Sequence, residues 1–292
     1  MTQANAILGL LAQTSIHAGT GSTTGVIDLP IQREGHNGYP CIFGSSMKGA
    51  LRARAEIQCG KDNNSVKFVF GPDTNNASDH AGAIMVSDAR LLLLPIRSLT
   101  SQFKWVTCPD ALKRYQRDAE RFGMGVNKIE VNVEGNSAII PQQTKEGALF
   151  LEEYRFDTKT QNLDNLINSL ASLMQRDDAV TDLQKQLVIV SNDMFAHLCQ
   201  HATPVNAHIA IESETKIVRS GALWYEETLP PETLLYVGLS ATKARAQGVE
   251  MLADAILGAV TGLFTDKPWL QVGGNETVGM GWCAVTVLVG GK

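Results

Sequence analysis

The chain has 292 residues, of which 44% are hydrophobic and 19% charged, a balance typical of a globular protein with a substantial core. It contains no run of eighteen apolar residues that would form a membrane-spanning helix, and its first residues lack the features of a secretory signal. The net charge of −5 argues against a free-standing, non-specific nucleic-acid binder, although it leaves room for a local basic groove. Five scattered cysteines predict no disulfide framework, so we expect a cytoplasmic protein with no membrane partner.

The first predicted elements are a strand and a helix, joined by a long loop with several glycines. Residues 7–11 form a short apolar run typical of a buried strand. The loop has too few apolar side chains for a core and carries one carboxylate, Asp28, shortly before Pro30. A helix is predicted from Met47 to Ile57, with Ser45 or Ser46 as its N-cap. Its inward-facing stripe comprises Met47, Leu51 and Ala55.

Two basic residues of this helix point to an anion. With a serine cap, Lys48 lies in the first turn, where the helix dipole disfavours a cation unless an anion is near. Arg52 follows four residues later and leaves the same face. The spacing matches neither a Walker loop nor a GxGxxG turn, so we interpret the stretch as a site for a phosphate backbone with an acid beside it. An ordinary helix start with a surface lysine is the alternative.

The middle of the chain predicts a surface insertion and a basic helix. Residues 60–80 are polar around a strand-like run, Val66–Phe70, and residues 83–94 predict a buried strand. Residues 107–110 precede an amphipathic helix, 111–122. Four basic residues lie on this helix, where a solvated face is favoured over a contact with RNA. They are Lys113, Arg114, Arg117 and Arg121.

The second half of the chain predicts further strands and helices. Strands are predicted at residues 129–133 and 148–156 around a turn at 135–136, helices at 164–174, 193–200 and 248–264, and a projecting hairpin at about 214–239 that turns at 229–232. Ser191 or Asn192 would cap the second of these helices. The spacing of His197, Cys199, His201 and His208 fits no standard zinc site. Short strands alternating with helices predict an α+β fold with an antiparallel sheet.

Near the end of the chain, a glycine-rich loop lies between two strand-like runs. It contains four glycines within nine residues, more than a hairpin turn requires, which favours a loop that lets a bulky ligand approach bare backbone. The glycines are Gly273, Gly274, Gly279 and Gly281.

Four segments together resemble the RAMP superfamily, and within it the backbone subunits of type III-B (Cmr) CRISPR effector complexes. They are GVIDLPIQRE (25–34), GYPCIFGSSMKGALR (38–52), GALWYEE (221–227) and QVGGNETVGMG (271–281). The resemblance implies one RAMP domain over residues 1–292, built as a modified ferredoxin-like (RRM-like) palm with a thumb hairpin and inserted fingers. It implies a surface insertion at about 60–80, a helical insertion at about 107–125 and the thumb at about 214–239.

The resemblance also implies a function. Copies of the chain would stack along the guide RNA (crRNA), contact other Cmr complex subunits, and cut guide-paired target RNA once per copy at regular intervals in antiviral defence. A non-catalytic backbone protein that only binds and measures guide RNA is the alternative. A third hypothesis, a monomer that processes precursor guide RNA, is disfavoured by the acidic pI of about 5.7.

The site residues follow from the same resemblance. By position Asp28 matches the catalytic acid, His17 a flanking histidine, and Glu226 an assisting carboxylate, although Glu227 leaves that last assignment open. The family has an aromatic residue two places after the carboxylate that Glu226 matches, and in this chain Thr228 occupies that position. Asp28 could bind a divalent cation, Mg²⁺ or Mn²⁺, and no organic cofactor is expected. Without the resemblance, Asp28 would be a turn-forming residue, His17 a surface histidine and Glu226 a solvated strand residue. The RNA-binding set would comprise Ser45, Ser46, Lys48 and Arg52 with the four C-terminal glycines.

Overall fold

The computed structural model describes residues 3–61, 63–72, 80–126 and 130–291, and a large sheet with helices on both faces dominates it. The strands are β1 (Ala4–Ala12), β2 (Cys41–Ile42), β3 (Ile84–Val86), β4 (Ala89–Arg97), β5 (Phe103–Thr107), β6 (Ser137–Pro141), β7 (Ala148–Leu151), β8 (Tyr154–Gln161), β9 (Leu187–Ile189), β10 (Val205–Ile211), β11 (Val218–Glu227), β12 (Leu234–Ala241), β13 (Trp269–Gln271) and β14 (Trp282–Val289). The helices are α1 (Gly44–Cys59), α2 (Asn64–Phe70), α3 (Pro109–Arg121), α4 (Asp164–Ala171), α5 (Ala179–Gln186), α6 (Asn192–His201) and α7 (Ala253–Thr261), with 3₁₀ turns at Gly262–Phe264 and Glu276–Val278. None of the helices in these ranges is long and apolar enough to cross a membrane.

The large sheet runs in the order β13-β14-β1-β12-β4-β5-β9-β6-β8-β7, with β2 beside β4 and β3 beside β12. The predicted α+β class is confirmed. Most neighbours are antiparallel as expected, but β5 pairs with β9 and β6 with β8 in parallel. Strands β1 and β12 are almost wholly buried because helices cover both faces of the sheet, which explains their continuous apolar sequences.

Each face of the sheet has its own apolar core. One core receives the buried sides of α1, α2, α6 and α7, and it includes the predicted stripe Met47, Leu51 and Ala55. The other receives α3, α4 and α5. Burying each large aliphatic side chain contributes roughly 1.5–3 kcal/mol, so these faces are what hold the helices on the sheet. The helix predicted at 164–174 ends at Ala171, and its side chains Leu166, Ile167 and Leu170 are buried, as is Leu173 just beyond it.

The predicted hairpin around residues 229–232 is wrong. Strand β12 is buried and pairs with β1, whereas β11 pairs with β10 to form a separate two-stranded ribbon. The turn of this ribbon lies between Ile211 and Val218, and most of its length is exposed. The physical reason is hydropathy: a strand as apolar as β12 belongs in the middle of a sheet, while the more polar β11 tolerates solvent. The projecting element is therefore residues 205–227.

Other local predictions need correction as well. Residues 66–70 form part of helix α2, because Val66, Val69 and Phe70 recur at helical spacing and Asn63 caps the helix by accepting a hydrogen bond from Ser65 N at 2.8 Å. The strand predicted at 83–94 is two strands, β3 and β4, interrupted at 87–88.

Residues 130–133 are not in a strand, although Val131 is buried, and residue 129 lies outside the described ranges. The helix predicted from residue 248 begins at Ala253 instead. Helix α5 was not predicted. The predicted strand at 148–156 is divided into β7 and β8 by a turn at Glu152, whose φ is 49°. The cap on α6 is confirmed: Ser191 accepts a hydrogen bond from Met194 N at 3.3 Å.

Candidate functional site

The loop that carries Asp28 lies along one edge of the base of the ribbon. Leu29 N donates to Tyr225 O at 3.0 Å, and Glu227 N donates to Leu29 O at 3.0 Å, which makes a short parallel bridge. The Asp28 carboxylate accepts a hydrogen bond from Tyr225 N at 2.7 Å through Oδ2. The side chain is half-buried, and Oδ1 has no hydrogen-bond partner among the described residues. One oxygen is thus fixed, while the other is available to a ligand.

His17 is anchored two residues further along the same edge of β11. Its Nδ1 lies 2.8 Å from the carbonyl oxygen of Glu227, so Nδ1 must carry the proton that it donates. This leaves Nε2 as the acceptor nitrogen when the ring is neutral, and no group in the described ranges bonds to it. The two anchoring residues, Tyr225 and Glu227, are two positions apart, so their Cα atoms are separated by roughly 7 Å along a strand. Asp28 and His17 are therefore brought together by backbone contacts that the sequence does not reveal.

The structure distinguishes Glu226 from Glu227. The buried Glu226 carboxylate accepts from Asn275 Nδ2 at 2.8 and 3.0 Å, which ties it to the C-terminal glycine-rich loop. Glu227 is fully engaged elsewhere: it forms an ion pair with Arg33 and accepts from Thr203 Oγ1 at 2.6 Å and from Ile31 N at 3.1 Å. Both carboxylates are buried, and Glu226 is the one tied to the glycine-rich loop of the predicted site. Sequence reasoning missed Asn275, whose only signal was its place inside the glycine-rich loop.

Two glycines of this loop are required by packing. Gly273 has φ +81°, and a Cβ there would lie 2.4 Å from the carbonyl oxygen of His17. Gly281 has φ +85°, and its Cβ would lie 2.0 Å from Val272 O. Gly274 N donates to His17 O at 2.8 Å, so a backbone hydrogen bond holds the glycine-rich loop against the segment that contains His17. Gly279 has φ +85° with open space around it, which leaves it accessible to a ligand.

The start of α1 is built differently from the prediction. The helix begins at Gly44 with Phe43 as its N-cap, and neither Ser45 nor Ser46 caps it. Instead Gly44 N donates to Asp88 Oδ1 at 2.7 Å, a cap from a distant part of the chain. Sequence reasoning could not find it because the two residues are 44 positions apart. Ser45 is exposed and Ser46 half-buried, so both hydroxyls remain near the surface.

Gln32 joins this helix start to the loop that precedes Asp28. Its buried amide accepts from Phe43 N at 2.6 Å and donates to Gly19 O at 3.1 Å and to Ser46 Oγ at 3.4 Å. A Cβ on Gly19 would lie 2.6 Å from His17 Nε2, so this glycine keeps the space beside the imidazole open. The histidine, the glycine loops and the helix start therefore form one connected surface.

The two predicted phosphate-binding residues of α1 differ in their surroundings. Partial burial and the neighbouring guanidinium groups of Arg52 and Arg245 lower the pKa of the Lys48 ammonium. Within the described part of the chain no carboxylate pairs with Lys48, so its charge is uncompensated. Arg52, by contrast, forms an ion pair with Glu56 at 2.7 Å and donates to Gly71 O at 3.0 Å. Lys48 is the stronger candidate for an anion contact.

The basic residues of α3 and the histidines and cysteine of α6 do not form a metal site. On α3, Arg114 forms a largely buried ion pair with Glu34. Lys113, Arg117 and Arg121 are exposed. His197 contacts the Tyr154 hydroxyl at 2.8 Å, and the Cys199 side chain is buried. Among the residues that the structure describes, no group of three or more His, Cys, Asp or Glu side chains is arranged to hold a metal ion. A cation at Asp28 would therefore need ligands from outside the described part of the chain as well.

Comparisons with known proteins identify the family. Residues 10–284 match the sequence profile of the RAMP superfamily. The chain belongs to the RAMP superfamily. This RAMP protein is 34% identical over 284 residues to the CRISPR system Cmr endoribonuclease Cmr4 of Pyrococcus furiosus, covering 96% of this chain and 95% of the relative. It is 25% identical over 297 residues to the CRISPR system CMR subunit Cmr4 of Saccharolobus solfataricus, covering 92% of both.

Solved structures share the RAMP fold. The crystal structure of oligomeric Cmr4 from Pyrococcus furiosus superposes with a TM-score of 0.77 at 27% identity, covering 100% of both chains. A chain of the type III-B Cmr-beta complex bound to cognate target RNA superposes with a TM-score of 0.73 at 20% identity, covering 98% of this chain and 97% of that chain. The second likeness concerns the fold alone. Together they confirm the RAMP fold implied by the four sequence segments.

Proposed function

We propose that this RAMP protein is a backbone subunit of a type III-B CRISPR effector complex, which holds crRNA and cuts guide-paired target RNA. Copies of the chain stack along the guide together with other Cmr subunits, and each copy makes one cut. The observation that carries the proposal is the convergence of Asp28, His17 and Glu226 on three consecutive residues of β11, beside an uncompensated cation on α1. The 34% identity to a Cmr endoribonuclease supports the same activity.

The geometry suits cleavage by the 2′-hydroxyl of the RNA itself. His17 Nε2 is free to accept a proton because Nδ1 is committed to the Glu227 carbonyl. Asp28 presents its free oxygen from the same strand edge and can take or give the second proton. A nucleotide bent between the two groups needs no protein nucleophile, because the attacking oxygen belongs to the substrate. The protein's task is then to splay one nucleotide and move its protons.

A divalent cation fits this arrangement only with help from the substrate. Asp28 Oδ1 would supply one oxygen ligand, and RNA phosphate oxygens and water the remainder, as is common for Mg²⁺. Such an ion would neutralise charge on the reacting phosphate. Glu226, held by Asn275, adds a second carboxylate next to the C-terminal glycine-rich loop.

Guide RNA is held by contacts that do not depend on its sequence. Lys48, the exposed Ser45 and the open backbone at Gly279 offer a cation, a hydroxyl and bare main chain to a phosphate strand. Base pairing between guide and target supplies specificity, so the protein needs only such backbone contacts. We place the complex in the cytoplasm, which agrees with five cysteines that are all free.

The decisive experiment replaces Asp28 with asparagine in the assembled complex. Asparagine keeps an oxygen for the Tyr225 N–H but removes the charge and the proton-transfer ability. We expect normal binding of target RNA and loss of the regularly spaced cuts by about 10²–10⁴-fold. The matched control is Asp266→Asn, which changes an exposed carboxylate outside the site. Unchanged cleavage by Asp28→Asn would favour the non-catalytic backbone function instead.

A further inference from the structure

The imidazole of His17 rests against a residue that has no side chain. His17 Nδ1 is bonded to the carbonyl oxygen of Glu227 at 2.8 Å, and the Nε2 end of the ring faces Gly19. A Cβ on Gly19 would lie 2.6 Å from Nε2, 3.3 Å from Cε1 and 3.4 Å from Cδ2. Real Cβ atoms are not found within 3.0 Å of such a neighbour. Only glycine therefore fits at position 19 while the ring keeps this orientation.

Space, and not backbone conformation, is what requires a glycine at this position. Gly273 and Gly281 have a positive φ, whereas Gly19 does not. Alanine could therefore adopt the backbone conformation of Gly19 without strain. The three atoms nearest to its methyl group would all belong to the imidazole of His17. Adding a methyl group at position 19 is thus a change that acts first on the imidazole.

Hydrogen bonds fix the backbone of Gly19 beside the ring. Gly19 forms an antiparallel bridge with Ile31, and Gln32 Nε2 donates to Gly19 O at 3.1 Å. The Gln32 side chain is buried, and its Oε1 accepts from Phe43 N at 2.6 Å, which holds the amide in place. Ile31 N also donates to Glu227 Oε2 at 3.1 Å. Glu227 therefore holds the imidazole through its carbonyl oxygen and the segment opposite Gly19 through its carboxylate.

We propose that Gly19 is a positioning residue for RNA cleavage, because its bare Cα sets the orientation of the His17 ring and leaves the approach to Nε2 open. This role rests on the proposed function, in which Nε2 accepts a proton from the RNA 2′-hydroxyl. A methyl group at position 19 would either cover Nε2 or turn the ring. A turned ring loses the hydrogen bond from Nδ1 to Glu227 O, which fixes the tautomer. In both cases Nε2 is no longer offered to the substrate.

Single-turnover cleavage by the assembled complex tests the proposal. With saturating target RNA, Gly19→Ala should slow the cuts by at least about 10²-fold, the lower end of what a positioned proton acceptor contributes. Binding of guide and target RNA should stay near that of the parent, because the loss concerns the transition state. The matched control is Gly35→Ala, which should cut like the parent, since Gly35 is exposed, has no positive φ and has nothing within 4 Å of where its Cβ would lie. Equal rates for Gly19→Ala and the parent would overturn the proposal.

A double variant separates positioning of the ring from a general effect on the loop. His17→Ala removes the ring with which the methyl group conflicts. If Gly19 acts through the imidazole, Gly19→Ala should not slow the residual cleavage of the His17→Ala complex any further. A further fall in that background, beyond the error of the assay, would show that Gly19 acts elsewhere and would refute the positioning role.

Nitrogen NMR of the histidine side chains gives a readout that does not depend on cleavage. In the isolated chain, the His17 resonances should report protonation at Nδ1, and they are assigned by their loss in His17→Ala. Gly19→Ala should shift these resonances while those of the other histidines stay in place. Unshifted His17 resonances would overturn the proposal, because the ring would then have kept its orientation.

A second variant covers the case in which Gly19→Ala does not fold. Gln32→Met releases Gly19 O without adding an atom beside the ring. It should slow cleavage in the parent background and not in the His17→Ala background, and an equal loss in both would contradict the positioning role. Failure of the proposed function has a different result. A parent complex that makes no cuts would refute that function, whereas a cutting parent with an equally fast Gly19→Ala variant refutes only the role of Gly19.

Discussion

Removing the guanidinium of Arg33 should destabilise the base of the ribbon more than any surface change. The Glu227 side chain is only 3% exposed, and its ion pair with Arg33 joins the segment before β2 to the end of β11. Arg33 also donates to Gly38 O at 2.9 Å and to Cys199 O at 2.8 Å. Arg33→Ala leaves a buried carboxylate with only Thr203 and Ile31 N as donors, together with two carbonyls that lose their partner.

The magnitude follows from burial. Breaking a buried ion pair by removing one partner costs roughly 3–5 kcal/mol, and we expect the lower end because Arg33 itself is 22% exposed. With a urea slope of roughly 3 kcal/mol/M, the midpoint of unfolding should fall by about 1 M. The assay is urea unfolding followed by far-UV circular dichroism on the isolated chain. The double variant Arg33→Met with Glu227→Gln should lose less than the sum of the two single variants, because no charge is left unpaired.

The matched control is Arg97→Ala. Arg97 pairs with Glu152, but its side chain is 86% exposed, so we expect no measurable change in the midpoint. Equal midpoints for the Arg33 and Arg97 variants would refute the claim that Glu227 serves structure. The division of roles between Glu227 and Glu226 would then have to be reversed.

Gly273→Ala should be strongly destabilising, because a methyl group meets the His17 carbonyl at 2.4 Å, whereas Gly279→Ala should cost only the roughly 1–2 kcal/mol of a left-handed residue. Thermal melts of both variants check this, and similar melting temperatures would contradict it. Lys48→Met should weaken binding of every guide RNA alike, whatever its sequence. It should also reduce the magnitude of the slope of log K against log salt concentration by about 1, as measured by filter binding at several salt concentrations. An unchanged slope would exclude a phosphate contact. Because its pKa is lowered, Lys48 should react faster with an amine reagent at mildly alkaline pH than the exposed Lys243, and RNA should slow the reaction, as peptide mass mapping can show.

Several site assignments depended on contacts that no local pattern contains. Glu226 and Glu227 are adjacent, of the same type and both buried, and only the positions of Arg33 and Asn275 distinguish the structural carboxylate from the one tied to the glycine-rich loop. Likewise Lys48 and Arg52 share a helix face, yet the carboxylate of Glu56 engages only the second. Such differences arise from side chains far apart in sequence, so a periodic pattern cannot predict them.

By itself, the sequence determined the family, the α+β class and the elements whose signals are local. Strand β1, the buried stripe of α1, the cap of α6 and the loop before β14 could be predicted because periodicity, capping and glycine spacing act within a few residues. Only the tertiary structure decided which strands pair. The projecting ribbon is formed by β10 and β11, not by β11 and β12 as predicted, and Asp28 and His17 both bond to one edge of β11. Those arrangements depend on hydrogen bonds between distant backbone groups, whose partners are chosen by the burial of the whole sheet.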